Sequence, residues 1–129
     1  MKVNLWGDLP TQVLQKGLDA ATLRQEVISN NVANVNTPGF KRSNVTFEEG
    51  LKKALAGREN NYQRTSLLED TSPEAVKDNR TSMRNDLNNV DMEIEMLNLS
   101  SNQIKYNGLI QLLNDRYSNL RYVINEGRR

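Results

Sequence analysis

Apolar residues recur at steps of three and four over about residues 10–35, which predicts an amphipathic α-helix. Pro10 suits the first helical position, because the N–H that proline lacks has no partner there. Pro38-Gly39 favours a turn, and the residue before proline avoids the helical region, so the helix ends before it. We expect the apolar stripe to pack on another helix; it carries Leu14, Leu18, Ala21, Ile28, Val32 and Val35.

A second helical pattern over about residues 90–125 is the strongest in the chain. Acidic residues in its first turns complement the helix dipole, and Asn88 or Asn89 is the expected N-cap. At 1.5 Å per residue this helix is roughly 50 Å long. Its nearly unbroken 4-3 series, the expected packing and assembly surface, consists of Met92, Met96, Leu99, Gln103, Tyr106, Ile110, Leu113, Tyr117, Leu120 and Ile124.

The first half of the C-terminal helix carries a second apolar stripe, which consists of Val90, Ile94, Leu97 and Ile104. One partner helix covers one narrow seam. Because the chain offers only one other long helix, we expect other copies of the protein to cover the second stripe.

The middle of the chain, residues 41–88, is poor in apolar residues beyond a short segment. We predict one short helix near 47–56, capped by Thr46, and an extended or mobile chain after it. The predicted fold is all-α: long N- and C-terminal helices packed as an antiparallel coiled-coil-like pair. The predicted divisions are 1–40 for the N-terminal helix and its turn, 41–88 for the middle, and 89–129 for the C-terminal helix.

Composition narrows the possible functions. The 129 residues hold 17 basic and 16 acidic side chains, a net charge of +1, and neither His nor Cys. This excludes disulfides, Cys/His metal sites and thiol nucleophiles, and it removes the commonest general base. The even charge gives no general attraction to nucleic acid. We therefore predict a non-enzymatic protein without catalytic residues, cofactor, metal, nucleic acid or small-molecule substrate.

Asparagine is concentrated at the end of the first predicted helix. Asn30, Asn31 and Asn34 fall inside its last turns, where each is a few tenths of a kcal/mol less favourable than Ala. Their number suggests that side-chain amides bind a neighbouring backbone.

The run from Asn31 to Lys41 closely resembles the signature of the bacterial flagellar rod and hook protein family. Residues 23–28 and 89–96 also fit that family, and the resemblance covers about residues 5–56 and 88–124. Phe40 stands where the family commonly has Tyr. The signature positions are Asn31, Ala33, Asn34, Asn36, Thr37, Pro38, Gly39, Phe40 and Lys41.

The resemblance implies a structural subunit of the flagellar axial structure, which serves motility. The short chain leaves no room for the large middle domains of hook and distal rod members, and residues 102–121 are similar to a proximal rod subunit. Such a protein assembles in the periplasmic part of the basal body after export by the flagellar type III apparatus. No apolar signal segment follows Met1, so no cleaved signal peptide is expected. The implied partners are other copies, other rod proteins, the rod-base adaptor, the membrane-ring protein and the export apparatus.

Two other readings compete with the rod subunit. A soluble helical adaptor or export chaperone would form a small closed oligomer, but it has no need of the Asn-Thr-Pro-Gly-Phe turn. A hydrolytic enzyme of the cell envelope would need a catalytic acid in a cleft, which so small a core is poorly able to shape.

Overall fold

The computed structural model describes residues 9–56, 61–79 and 85–126. In chain order it contains α1 (Leu9–Ala33), β1 (Ser43–Thr46), α2 (Glu48–Ala56), α3 (Asn61–Asp70), β2 (Glu74–Lys77) and α4 (Met92–Glu126). The two long helices lie where the apolar periodicity predicts them. The mostly helical fold is thereby confirmed.

Helices α1 and α4 pack against each other and run antiparallel. The guanidinium Nε of Arg116 lies 3.2 Å from the hydroxyl of Thr11, near the start of α1. Further along α1, the side-chain amide of Asn102 donates to the carbonyl oxygen of Ala21 at 2.8 Å. As residue numbers rise along α1 they fall along α4, which is the antiparallel arrangement that the sequence predicts.

The middle of the chain differs from the all-α prediction. Strands β1 and β2 pair antiparallel, with Ser43 opposite Lys77 and Thr46 opposite Glu74. The short helix α2 lies within the segment where one was expected, but α3 is a further helix in a stretch expected to be extended or mobile. Helix α3 lies against both α1 and α2, and Lys16 of α1 donates to the backbone carbonyl of Glu69 at 3.1 Å.

The apolar core is small and lies where the middle elements meet α1. On α1 the face toward this core combines small and branched side chains. Phe47 at the start of α2 and Leu68 of α3 close the core, and Leu68 is completely buried. The buried apolar residues are Ala20, Ala21, Val27, Ile28, Phe47, Ala54, Leu68 and Val90.

The N-cap of α4 is Asp91, so the expectation of Asn88 or Asn89 is wrong. One carboxylate oxygen of Asp91 accepts the backbone N–H of Glu93 at 2.9 Å and that of Ile94 at 3.3 Å. Both asparagines instead bind backbone elsewhere in the chain: Asn88 binds the turn after α1, and Asn89 accepts the N–H of Arg42 and donates to the carbonyl of Asp78.

Candidate assembly site

A tight turn follows α1 and is held by hydrogen bonds among its own residues. The backbone N–H of Thr37 donates to the carbonyl of Asn34 at 3.0 Å, and that of Phe40 donates to the carbonyl of Thr37 at 3.2 Å. Gly39 has φ of 73°, a conformation that glycine adopts without steric penalty. The side chain of Asn34 donates back to the carbonyl of Asn30 at 2.9 Å and accepts from the hydroxyl of Thr37 at 3.2 Å. The turn is thus locally specified, as Pro38-Gly39 predicts.

The side-chain amide of Asn88 hydrogen-bonds to the backbone of this turn. Its side-chain nitrogen lies 2.9 Å from the carbonyl oxygen of Asn34, 3.1 Å from that of Val35 and 2.9 Å from that of Thr37. Its side-chain oxygen accepts the N–H of Val90 at 2.8 Å. Asn88 is fully buried. One amide therefore ties the end of α1 to the start of α4.

Two further contacts hold the same two segments together. The N–H of Gly39 donates to the carbonyl of Asp86 at 2.7 Å. The ammonium group of Lys41 donates to the carbonyl of Leu87 at 2.8 Å. Leu87 itself has φ of 61°, which L-residues other than Asn and Asp seldom adopt. This conformation places Asn88 below the turn.

Asn31 binds the chain that enters β1. Its side-chain oxygen accepts the N–H of Ser43 at 2.9 Å, and its side-chain nitrogen donates to the carbonyl of Ser43 at 2.9 Å. The side chain of Asn31 therefore pairs with both backbone groups of Ser43, in the way that a residue of a neighbouring strand would. The expectation that helix-end amides bind neighbouring backbone is met here, and Asn34 does the same within its own helix.

A buried ion pair completes this end of the molecule. The side chain of Glu95 is completely buried; one oxygen lies 3.0 Å from the guanidinium of Arg42 and the other accepts from the Asn31 amide at 3.1 Å. The N–H of Arg42 donates to the side chain of Asn89 at 2.7 Å. We call Asn31, Arg42, Asn88 and Glu95 the polar clamp, because together they join α1, the entry to β1 and the start of α4.

The signature residues divide between this clamp and the surface. Asn31 is buried, and Phe40 and Lys41 are partly buried. The exposed signature residues are Ala33 at the end of α1 and, in the turn, Asn36, Thr37, Pro38 and Gly39. The turn therefore presents a small, braced surface at one end of the helix pair.

The face of α4 that meets α1 is centred on residues that apolar periodicity misses. Glu95 bonds Asn31, Asn102 bonds Ala21, and Arg116 bonds Thr11. With Leu109, these residues recur every seven positions along α4. Their polar side chains hide them from a search for apolar residues. A search for polar residues at heptad spacing beside the apolar series could have found them.

The predicted packing residues surround this polar line to different degrees. Ala21 and Ile28 are buried, whereas Met92 and Met96 are 41% and 40% exposed. The partly buried ones are Leu14, Leu18, Val32, Leu99, Tyr106, Ile110, Leu113, Tyr117 and Leu120. Their role in assembly stays a prediction.

The side of α4 turned away from α1 exposes large apolar residues. Leu97 and Ile104, seven positions apart, are 71% and 74% exposed. Val90, expected to belong to the same stripe, precedes α4 and is buried. We call Leu97 and Ile104 the outer apolar pair. Towards the end of α4, Leu112, Tyr122, Val123 and Ile124 are also exposed.

A cleft of about 310 Å³ lies beside the clamp, between α1, β1 and α4. Its two carboxylates are each paired with an arginine: Glu48 with Arg24 at 2.6 Å, and Glu95 with Arg42. Within residues 9–56, 61–79 and 85–126, no three acidic side chains lie close enough together to hold a metal ion. Nor does any helix in these ranges combine the length and apolarity of a membrane span.

The fold and the site define a class of protein. It is a helical subunit in which one side of the long helix packs against the rest of the chain and the opposite side exposes apolar residues to solvent. Exposed apolar surface of this kind marks interaction sites. Residues 12–41 match the family model for flagella basal body rod protein. Residues 12–41 include α1 almost entirely and the turn after it.

Comparison with curated proteins extends the similarity to almost the whole chain. The flagellar basal body rod protein FlgB of Bacillus subtilis is 32% identical over 91% of this chain and 94% of its own length. FlgB of Borrelia hermsii is 33% identical over 91% and 96%. FlgB of Proteus mirabilis strain HI4320 is 30% identical over 88% and 91%. The chain belongs to the FlgB family of flagellar basal body rod proteins.

Proposed function

We propose that this chain is a structural subunit of the flagellar rod and that it assembles through the outer apolar pair of α4. The observation that carries the proposal is the exposure of Leu97 and Ile104 on a helix whose opposite side is already occupied by α1. Burying a leucine or isoleucine side chain contributes about 1.5–3 kcal/mol. Neighbouring subunits that cover this pair therefore gain stability from the contact.

The occupants of this surface are other copies of the chain and other flagellar rod proteins. The relatives, which share nearly the full length of the chain, are named as basal body rod proteins. That name favours a rod component over the alternative of a soluble adaptor or export chaperone. It also favours a structural role over an enzymatic one.

The finer assignment is a proximal rod subunit, part of the drive shaft between the membrane ring and the distal rod and hook. Its partners include the rod-base adaptor and the membrane-ring protein. The chain reaches its periplasmic position through the flagellar type III export apparatus. The exposed turn at residues 36–39 is a second contact surface, since the clamp holds it in one shape.

The experiment introduces charge into the outer apolar pair. Leu97→Asp with Ile104→Asp places two carboxylates where the proposal requires apolar contact, and unpaired buried charge strongly opposes association. Cells carrying the double variant are expected to lose swimming, while the purified chain keeps the helical circular dichroism of the wild type.

The matched control adds the same two charges elsewhere on α4. Asn107→Asp with Asn114→Asp changes two exposed polar residues, also seven positions apart, and is expected to leave swimming intact. Normal swimming of the Leu97 and Ile104 double variant would contradict the proposed surface. So would an equal loss in the control.

A further inference from the structure

We propose that the polar clamp determines the register in which α1 and α4 pair, a role that the apolar stripe cannot perform. The proposal concerns the folding of a single chain and does not depend on what the chain assembles with. Its basis is the placement of Glu95, whose carboxylate contacts both Asn31 of α1 and Arg42 at the entry to β1.

The apolar residues beside the seam do not distinguish one register from the next. Leu99, Tyr106, Leu113 and Leu120 recur every seven residues, and all four are partly buried. A shift of α4 by one heptad, about 10 Å along the axis, puts each of them in the place of another apolar residue. Most of the apolar packing is therefore available in the shifted pairings as well.

The polar residues of the seam do distinguish the registers. In a pairing shifted so that Glu95 takes the place of Asn102, its carboxylate faces the carbonyl of Ala21. There the Asn102 amide now donates at 2.8 Å. A carboxylate has no proton to donate, so two acceptors oppose each other.

The opposite shift is unfavourable for a related reason. Leu109 then lies against the Ala21 carbonyl, and Arg42 loses its carboxylate. Breaking a buried pair by removing one partner leaves an uncompensated charge, which is strongly destabilising. Of these three registers, the observed one alone gives Arg42 a carboxylate and the Ala21 carbonyl a donor.

Asn88 reinforces the same register at the start of α4. It binds three carbonyl groups of the turn after α1 and lies only seven residues before Glu95. A shifted α4 would have to release these bonds. Polar groups that specify register at the expense of stability are well attested in paired helices.

The test measures the register directly. The chain has no cysteine, so Ser29→Cys and Ser118→Cys, both at exposed positions, take one spin label on each long helix. Pulsed electron paramagnetic resonance then gives the distance between the two labels. The otherwise unchanged chain is expected to show a single distance, and a broad distribution there would contradict the proposal.

The variant that disrupts the clamp replaces two of its four residues, Asn88→Ala with Glu95→Leu. Its label distances are measured in trimethylamine N-oxide, which favours the compact state. It is expected to show a second population displaced by about 10 Å, the length of one heptad. Asn88→Ala alone keeps the Glu95 carboxylate facing Arg42 and Asn31, and is expected to keep the single distance. Leu113→Ala weakens the same helix pair at an apolar position, and is likewise expected to keep it.

Three results with the variants would also overturn the proposal. One is a single unchanged distance in the Glu95→Leu variant. Another is a shifted population in Leu113→Ala. The third is loss of helical structure in the Glu95→Leu variant under conditions in which Leu113→Ala is folded, because the clamp would then supply stability rather than register.

Discussion

Gly17 of α1 faces Leu109 of α4 so closely that a Cβ atom on Gly17 would lie 3.3 Å from a terminal methyl group of Leu109. The missing side chain lets Leu109 approach the backbone of α1 in the middle of the helix pair. The atom it would meet is the end of a flexible side chain, so a small movement of Leu109 can relieve the contact.

Gly17→Ala is therefore expected to raise the free energy of unfolding by about 0.5–1 kcal/mol, the usual gain from replacing glycine inside a helix. Gly17→Val is expected to lower it by about 1–3 kcal/mol, because the branched side chain overfills the seam. Urea unfolding followed by circular dichroism measures both. A clear loss of stability in Gly17→Ala would show that Leu109 cannot move.

Asn88→Ala removes the amide that serves the carbonyls of Asn34, Val35 and Thr37. Each hydrogen bond lost costs about 0.5–1.5 kcal/mol and the amide carries two N–H donors, so chemical denaturation is expected to show a loss of about 1–3 kcal/mol. Asn85→Ala, at an exposed position three residues away, is the control, expected to stay within about 0.5 kcal/mol of the wild type. Equal effects of the two would mean that Asn88 does not brace the turn.

Leu87 is exposed and has φ of 61°, a conformation that costs an L-residue about 1–2 kcal/mol. Asparagine tolerates it, so Leu87→Asn is expected to raise the thermal midpoint of unfolding. Leu87→Ala lacks the short polar side chain with which asparagine hydrogen-bonds locally in this conformation, so it keeps the strain and is expected to change the midpoint little. If both variants stabilise equally, the gain comes from removing the exposed leucine and not from the backbone.

Leu113→Asp puts a carboxylate into the partly buried seam between the long helices. Truncating a buried leucine alone costs about 2–5 kcal/mol, and an unpaired charge adds to that. Cells with this variant are expected to lose swimming but still to export the chain, since export of an unfolded chain does not need the helix pair. Swim-plate diameter and immunoblots of secreted protein measure the two effects.

The control for Leu113→Asp is Lys77→Glu, a charge reversal on the exposed strand β2. It is expected to leave swimming close to normal. Greater damage from Lys77→Glu than from Leu113→Asp would exclude the helix pair as the element on which assembly depends.

The sequence alone was sufficient to predict the two long helices, the turn after α1 and the flagellar family. Each of these follows from neighbours in the chain: i to i+4 periodicity for α1 and α4, Pro38-Gly39 for the turn, and a contiguous signature run. Helical hydrogen bonds connect residues four apart, so a local pattern determines them.

Only the tertiary structure decided which face of α4 meets α1. The seam is centred on Glu95, Asn102 and Arg116, whose partners in the chain are 64, 81 and 105 residues away. No local pattern marks a polar residue as buried, because its burial depends on a donor or acceptor that folding brings from elsewhere. The pairing of β1 with β2 and the use of Asn88 beneath the turn are non-local for the same reason.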